Sequence, residues 1–166
     1  MTLCLFCTLV SCGGGEQAEQ PGTGTGTADS GAALTMGERI AEDFKKKVGD
    51  DPDITAEALA GALLEGDAVD FSGAVMPMEP GYFMGLDLDT VTGFAEAARF
   101  SPMIGSIPFM GYVFRLDKDA DAAAFMTILR EHADLGWNIC TFADRLIVED
   151  AGDWVLMLMC REAEED

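Results

Sequence analysis

Histidine is almost missing from this chain: among 166 residues, only His132 carries an imidazole. A Ser-His-Asp or Cys-His mechanism would have to be built on that single side chain. A zinc helix of the H-E-x-x-H kind is excluded, because Glu131-His132 lacks the second histidine that the motif needs. The helical phase of His132 places it at the margin of an apolar stripe through Phe125 and Leu129, where a boundary histidine is the plain reading. Positive charge is scarce as well, with 10 Lys and Arg against 30 Asp and Glu and a net charge of -20. Such a field repels phosphate backbones and anionic headgroups, so nucleic acid is not an expected partner. Beyond position 12 only Cys140 and Cys160 remain, neither in a C-x-x-C spacing, which leaves redox catalysis without support. No G-x-S-x-G elbow surrounds Ser72, Ser101 or Ser106. Past the N-terminal segment there is no apolar run of about 18 residues, hence no expected spanning helix.

What the chain does have is apolar content: 49% of its residues are hydrophobic, well away from the regime in which a charged sequence stays unfolded. The acids should therefore coat a folded body. Residues 35–166 amount to one domain, long enough to bury roughly two-thirds of the unfolded chain's surface without disulfide or metal staples.

Leu3, Leu5, Phe6, Leu9 and Val10 form a short apolar run that stops at Cys12 and three glycines, the outline of a targeting segment. Leu9-Val10-Ser11-Cys12 resembles a bacterial lipobox. That resemblance implies a lipoprotein signal peptide over residues 1–11, cleavage before Cys12, and lipidation of Cys12 on its sulfur. Two or three acyl chains anchor stably where one binds only marginally. The departure from the pattern lies ahead of the apolar run, where Met1 and Thr2 bring no Lys or Arg. From Gly13 to Ala33 the chain is mostly Gly, Thr, Gln, Glu and Ala, including three Gly-Thr pairs from Gly22 to Thr27. This composition makes 12–34 a lipidated cysteine plus a flexible tether, spanning roughly 25 Å as a coil.

The domain opens on a helix signal, with Thr35 and Glu38 at capping-box spacing ahead of Met36, Ile40, Phe44 and Val48. Lys45, Lys46 and Lys47 then fall at its negative end and Gly49 at its stop, so helix-end charge explains the basic triplet better than a membrane patch does. A second helix is expected over 54–65, with Leu59 and Leu63 on its inner face and Gly66 closing it. Val69, Phe71, Gly73 and Val75 share a parity and suggest a strand over 69–76, ended by Pro77 and Pro80-Gly81. Asp87 or Asp89 can cap a short helix to Ala98 that carries Val91 and Phe94. Met110, Tyr112, Phe114 and Leu116 alternate along a strand. Asp117, Asp119 and Asp121 lead into an amphipathic helix with Phe125, Met126, Leu129 and Ala133 on one face, ending at Gly136. The strands 145–149 and 154–160 form a hairpin, the second apolar on both parities and so covered on both faces. The expected fold class is α+β: one small domain, with a mostly antiparallel sheet of about four strands and helices packed on it.

Tyr82-Phe83-Met84-Gly85-Leu86-Asp87, Ser101-Pro102-Met103, a strand ending Arg115-Leu116-Asp117, a long helix, and Leu146-Ile147-Val148 ahead of a glycine hairpin follow in that order. This stretch resembles an uncharacterised family of small α+β lipoproteins from gut clostridia. The resemblance covers about half of the chain. It implies the same anchored and tethered domain but supplies no reaction, and no functional residue carries over from it.

The remaining candidate sites weaken on their own chemistry. Asp117, Asp119 and Asp121 match the first ligand positions of an EF-hand loop, yet Ala122 stands where its glycine belongs and Ile128 where its bidentate glutamate belongs. A charged helix N-terminus accounts for them. Met76-Pro77-Met78 and Met157-Leu158-Met159 offer thioethers of the kind Cu(I) takes, but Met157 and Met159 share a strand face with Val155, as core residues do. A turn at Ala151-Gly152 would set Cys160 opposite Ala143, short of Cys140, so both cysteines are expected as buried thiols. No catalytic, cofactor or metal residue is assigned. The expected function is a non-catalytic, lipid-anchored extracytoplasmic binding or assembly module of the bacterial envelope. It would sit at the outer face of the cytoplasmic membrane, held there through the lipid on Cys12, with an envelope protein, peptide or glycan as partner. The alternative is an extracytoplasmic carboxylate-dependent hydrolase, since two carboxylates suffice for some glycosidases.

Overall fold

Thr35 opens the first helix of the computed structural model, which describes residues 34–161. The segments expected as leader (1–11) and tether (up to residue 33), with the expected lipidation residue Cys12, lie outside the described residues. The Thr35 hydroxyl accepts from the Glu38 amide at 3.3 Å, and the Glu38 carboxylate accepts from the Thr35 amide at 2.9 Å. This reciprocal box starts α1, Met36–Asp50, which buries Ile40, Ala41, Phe44 and Val48 and runs one residue past Gly49. Thr55 caps α2, Ala56–Leu64, and the Glu96 carboxylate accepts from the Ala56 amide at 3.1 Å, so a neighbouring strand also serves this helix end.

The strands are β1 (Gly73–Met78), β2 (Phe94–Pro102), β3 (Met110–Leu116), β4 (Arg145–Ala151) and β5 (Trp154–Cys160), with α3 (Ala122–His132) between β3 and β4. They form one sheet in the order β1-β2-β3-β5-β4, every neighbouring pair antiparallel. The architecture is thus α+β as expected, with five strands rather than about four. Helices cover both faces. On one, α1 and α2 pack Phe44, Leu59 and Leu63 against Phe100, Val113, Trp154 and Leu156. On the other, Phe125 and Leu129 of α3 meet Tyr112, Phe114, Val155 and Met157. Every residue of β5 is buried, as its apolar run on both parities requires.

The expected helix from Asp87 or Asp89 to Ala98 is absent; β2 occupies its second half. Gly93 sits at φ +96°, a left-handed conformation that breaks the chain just before Phe94. A bulge between Phe94 and Glu96 then shifts the strand's parity. Phe94 and Ala97 consequently share the α3 face while Ala98 and Phe100 point to the α1–α2 face, a three-residue spacing that imitates a helix. The first strand also begins later than expected, at Gly73, and it contains Pro77 instead of ending before it. Because β1 is an edge strand, a residue without an N–H is tolerated there.

The hairpin turns at Gly152-Asp153, with Ala151 opposite Trp154, so Cys160 pairs with Arg145 in the ladder. Cys160 is buried but Cys140 is exposed in the loop ahead of β4, contrary to the expectation of two buried thiols, and no disulfide bridges them. α3 ends at His132, short of Gly136. There the Asp87 amide donates to the His132 carbonyl at 2.8 Å and the Asp134 amide to the Gly85 carbonyl at 2.9 Å, fastening the α3 exit to the β1–β2 connection. No helix among the described residues is long and apolar enough to cross a membrane.

Candidate binding surface

Three connections converge beside the sheet: residues 79–93 between β1 and β2, 103–109 between β2 and β3, and 133–144 between α3 and β4. Their backbones are held by specific bonds. The buried Tyr112 phenol donates to the Met84 carbonyl at 2.9 Å. The Asn138 amide group donates to the Gly105 carbonyl and, at 3.0 Å, to the Thr141 hydroxyl. Gly85, at φ +83°, lies so close to the Met159 methyl and the Trp137 indole that a β-carbon would strike the methyl group. Only glycine allows this approach.

These connections carry large apolar side chains that stay in solvent: Tyr82, Met84, Met103, Ile104, Ile139 and Phe142, with Met103 74% and Ile139 94% exposed. Met84 and Trp137 form a divide between two open grooves. The first, about 800 Å³, is lined by Tyr82, Asp87, Asp89, Glu131, His132 and Asp134 among others. The second, about 470 Å³, is lined by Arg99, Ile104, Ile107, Ile139 and Cys140 among others. The Arg99 guanidinium there reaches the Met76 sulfur at 3.7 Å.

His132 lines the first groove with its Nδ1 3.1 Å from the Asp87 carbonyl oxygen. A carbonyl can only accept, so Nδ1 carries the proton and Nε2 is the free ring position. None of the residues lining that groove is Ser, Thr or Cys, so the imidazole has no serine, threonine or cysteine nucleophile beside it there to activate. Asp121 caps α3, its carboxylate accepting from the Ala124 amide at 3.1 Å. Among the described residues no group of three or more His, Cys, Asp or Glu side chains is placed to hold a metal ion. Met157 and Met159 are fully buried in the core. Lys45, from the basic triplet, bonds the Glu149 carboxylate of β4 at 2.8 Å, a contact that raises its pKa.

The exposed apolar residues of the three connections belong to no periodic element or ionisable motif, so periodicity and motif spacing do not single them out. A usable signal was present: Tyr82, Met84, Ile104 and Ile139 lie among Gly, Pro and Asp residues, where a solvated loop has no use for them. In comparisons with known proteins, no family model matches this chain, and no curated protein or solved structure is significantly similar to it.

Proposed function

We propose that the domain is a non-catalytic binding module of the bacterial envelope, tethered to the outer face of the cytoplasmic membrane through a lipid on Cys12. One observation carries the reading: apolar side chains stand in solvent on connections that hydrogen bonds and close packing hold in place. An exposed apolar patch such as that of Met84, Ile104 and Ile139 along one groove marks a site of interaction with a protein, a membrane or a ligand. Fully burying one such side chain is worth roughly 1.5–3 kcal/mol, a gain this domain leaves to a partner. The lipobox-like Leu9-Val10-Ser11-Cys12 and the tether supply the anchoring half of the proposal.

The test is crosslinking in intact cells followed by purification of the anchored protein, comparing wild type with Ile104→Asp/Ile139→Asp. A partner captured by wild type and lost by the variant at unchanged melting temperature supports the module. Capture that ignores both substitutions refutes it.

A further inference from the structure

Resting on the reading of the domain as a binding module, we propose that its apolar surface receives a basic, apolar segment of a partner protein, with the segment's Lys or Arg residues in the first groove and its apolar residues over Met84, Ile104 and Ile139. The apolar half of this fit is the exposed Met84, Ile104 and Ile139, which line the second groove together. Charge decides which apolar partner. Asp87, Asp89, Glu131 and Asp134 all line the first groove, and all four are exposed. The ion pairs of the described domain engage Glu38, Glu96, Glu149 and Asp153, so none of the four groove carboxylates is neutralised by a cation of the domain. Tyr82 and Trp137 line the same groove, and aromatic rings of this kind attract an ammonium or guanidinium group.

The two grooves differ in sign, which orients the occupant. The second groove's lining contains Arg99 and no Asp or Glu, so a basic residue is repelled there and drawn across the Met84–Trp137 divide into the first. Anionic lipid headgroups and polyanions meet the wrong charge at the first groove and across a chain of net charge -20. An uncharged glycan would leave the four carboxylates unanswered. A polypeptide carrying both basic and apolar side chains answers both halves of the surface.

The probe is a short synthetic peptide of Lys and Leu, titrated by calorimetry into the wild-type protein, with counterparts that replace Lys by Glu or Leu by Ser. Asp87→Asn/Asp89→Asn removes two groove charges, and Glu57→Gln/Glu65→Gln removes the same charge from the α2 region as a control for bulk attraction. The expected result is binding of the Lys–Leu peptide alone, weakened about tenfold or more by Asp87→Asn/Asp89→Asn and by Ile104→Ser/Ile139→Ser, and little changed by the control pair. Equal weakening by the control pair, equal binding of the Glu–Leu peptide, or no binding of the Lys–Leu peptide overturns the proposal. Binding to anionic vesicles rather than to the peptide overturns it in favour of a lipid surface. If the peptide fails while in-cell capture still depends on Ile104 and Ile139, the partner's chemistry is wrong and the module reading stands. If capture is indifferent to those residues, the module reading itself falls.

Discussion

The phenol of Tyr112, buried in the central strand β3, donates to the backbone carbonyl of Met84, an exposed residue at the divide between the two grooves. One hydrogen bond of 2.9 Å thus connects the rigid centre of the sheet to the proposed binding surface. Tyr112→Phe keeps the ring and its packing against Phe83 but leaves the carbonyl unanswered. The expected cost is about 1 kcal/mol of stability, read by denaturant titration. Amide exchange should accelerate around Met84 and stay unchanged in β5; uniform acceleration would contradict the pinning role.

Tyr112 also makes the fold sensitive to alkali. Burial raises its pKa far above the ordinary phenol value of 10.0, outweighing the opposing influence of Arg99. In the unfolded chain the phenol ionises near that ordinary value, whereas in the native state it stays protonated. The unfolded state therefore binds fewer protons above pH 10.0, and stability falls as pH rises beyond it. Denaturant midpoints measured from neutral pH into alkali should decline from about pH 10 in wild type and decline less in Tyr112→Phe. Parallel curves for the two proteins would remove Tyr112 as the cause.

Leu129 and Arg130 are adjacent on α3 and do different work. Leu129 is fully buried in the layer against β3 and β5, so Leu129→Asp places an uncompensated charge in the core and should cost several kcal/mol. Helical phase puts Arg130 off the Phe125–Leu129 stripe, which by itself suggests little effect on its loss. Its guanidinium instead donates to the Val148 carbonyl of the edge strand β4 at 2.7 Å. Arg130→Ala should therefore cost about 1–2 kcal/mol and loosen β4, detectable as faster amide exchange along that strand. Identical melting temperatures for Arg130→Ala and wild type would show the bond to be idle.

Local rules were legible wherever a single element decides its own boundaries. Thr35 with Glu38, Asp121 before α3, and the apolar run 154–160 each announce the element that the structure contains. Misreadings arise where a distant partner decides. Val91, Phe94 and Ala98 have helical spacing, and only pairing with β1 and β3, the bulge and the left-handed Gly93 turn this segment into a strand. A one-residue shift of the hairpin turn was enough to move Cys160 away from Ala143 and opposite Arg145. The proposed binding surface was the least legible part, since Met84, Ile104 and Ile139 meet only through the convergence of three separate connections.

Cys12→Ala tests the anchor independently of the domain. The thiol is the acylation point under the lipobox reading, so the variant should be released from membranes or accumulate unprocessed. Labelled palmitate should be incorporated by wild type alone. Incorporation that persists in the variant would place any lipid elsewhere.

His132→Ala separates the binding module from a hydrolase that uses this imidazole as its base. The imidazole lines the first groove, the one in which four carboxylates also lie, so it is placed beside any ligand held there. Its Nδ1–H, however, is directed to the Asp87 carbonyl, a bond that helps fasten the end of α3 to the β1–β2 connection. A histidine with that role should cost about 1 kcal/mol of stability on removal and leave partner binding nearly intact. A general base should instead cost a factor of about 100 or more in turnover with little effect on binding. The two roles are separated by assaying captured partner for both association and hydrolysis, with wild type and variant at equal folded concentration. Hydrolysis by wild type that disappears in His132→Ala would make the first groove an active site and the domain an enzyme.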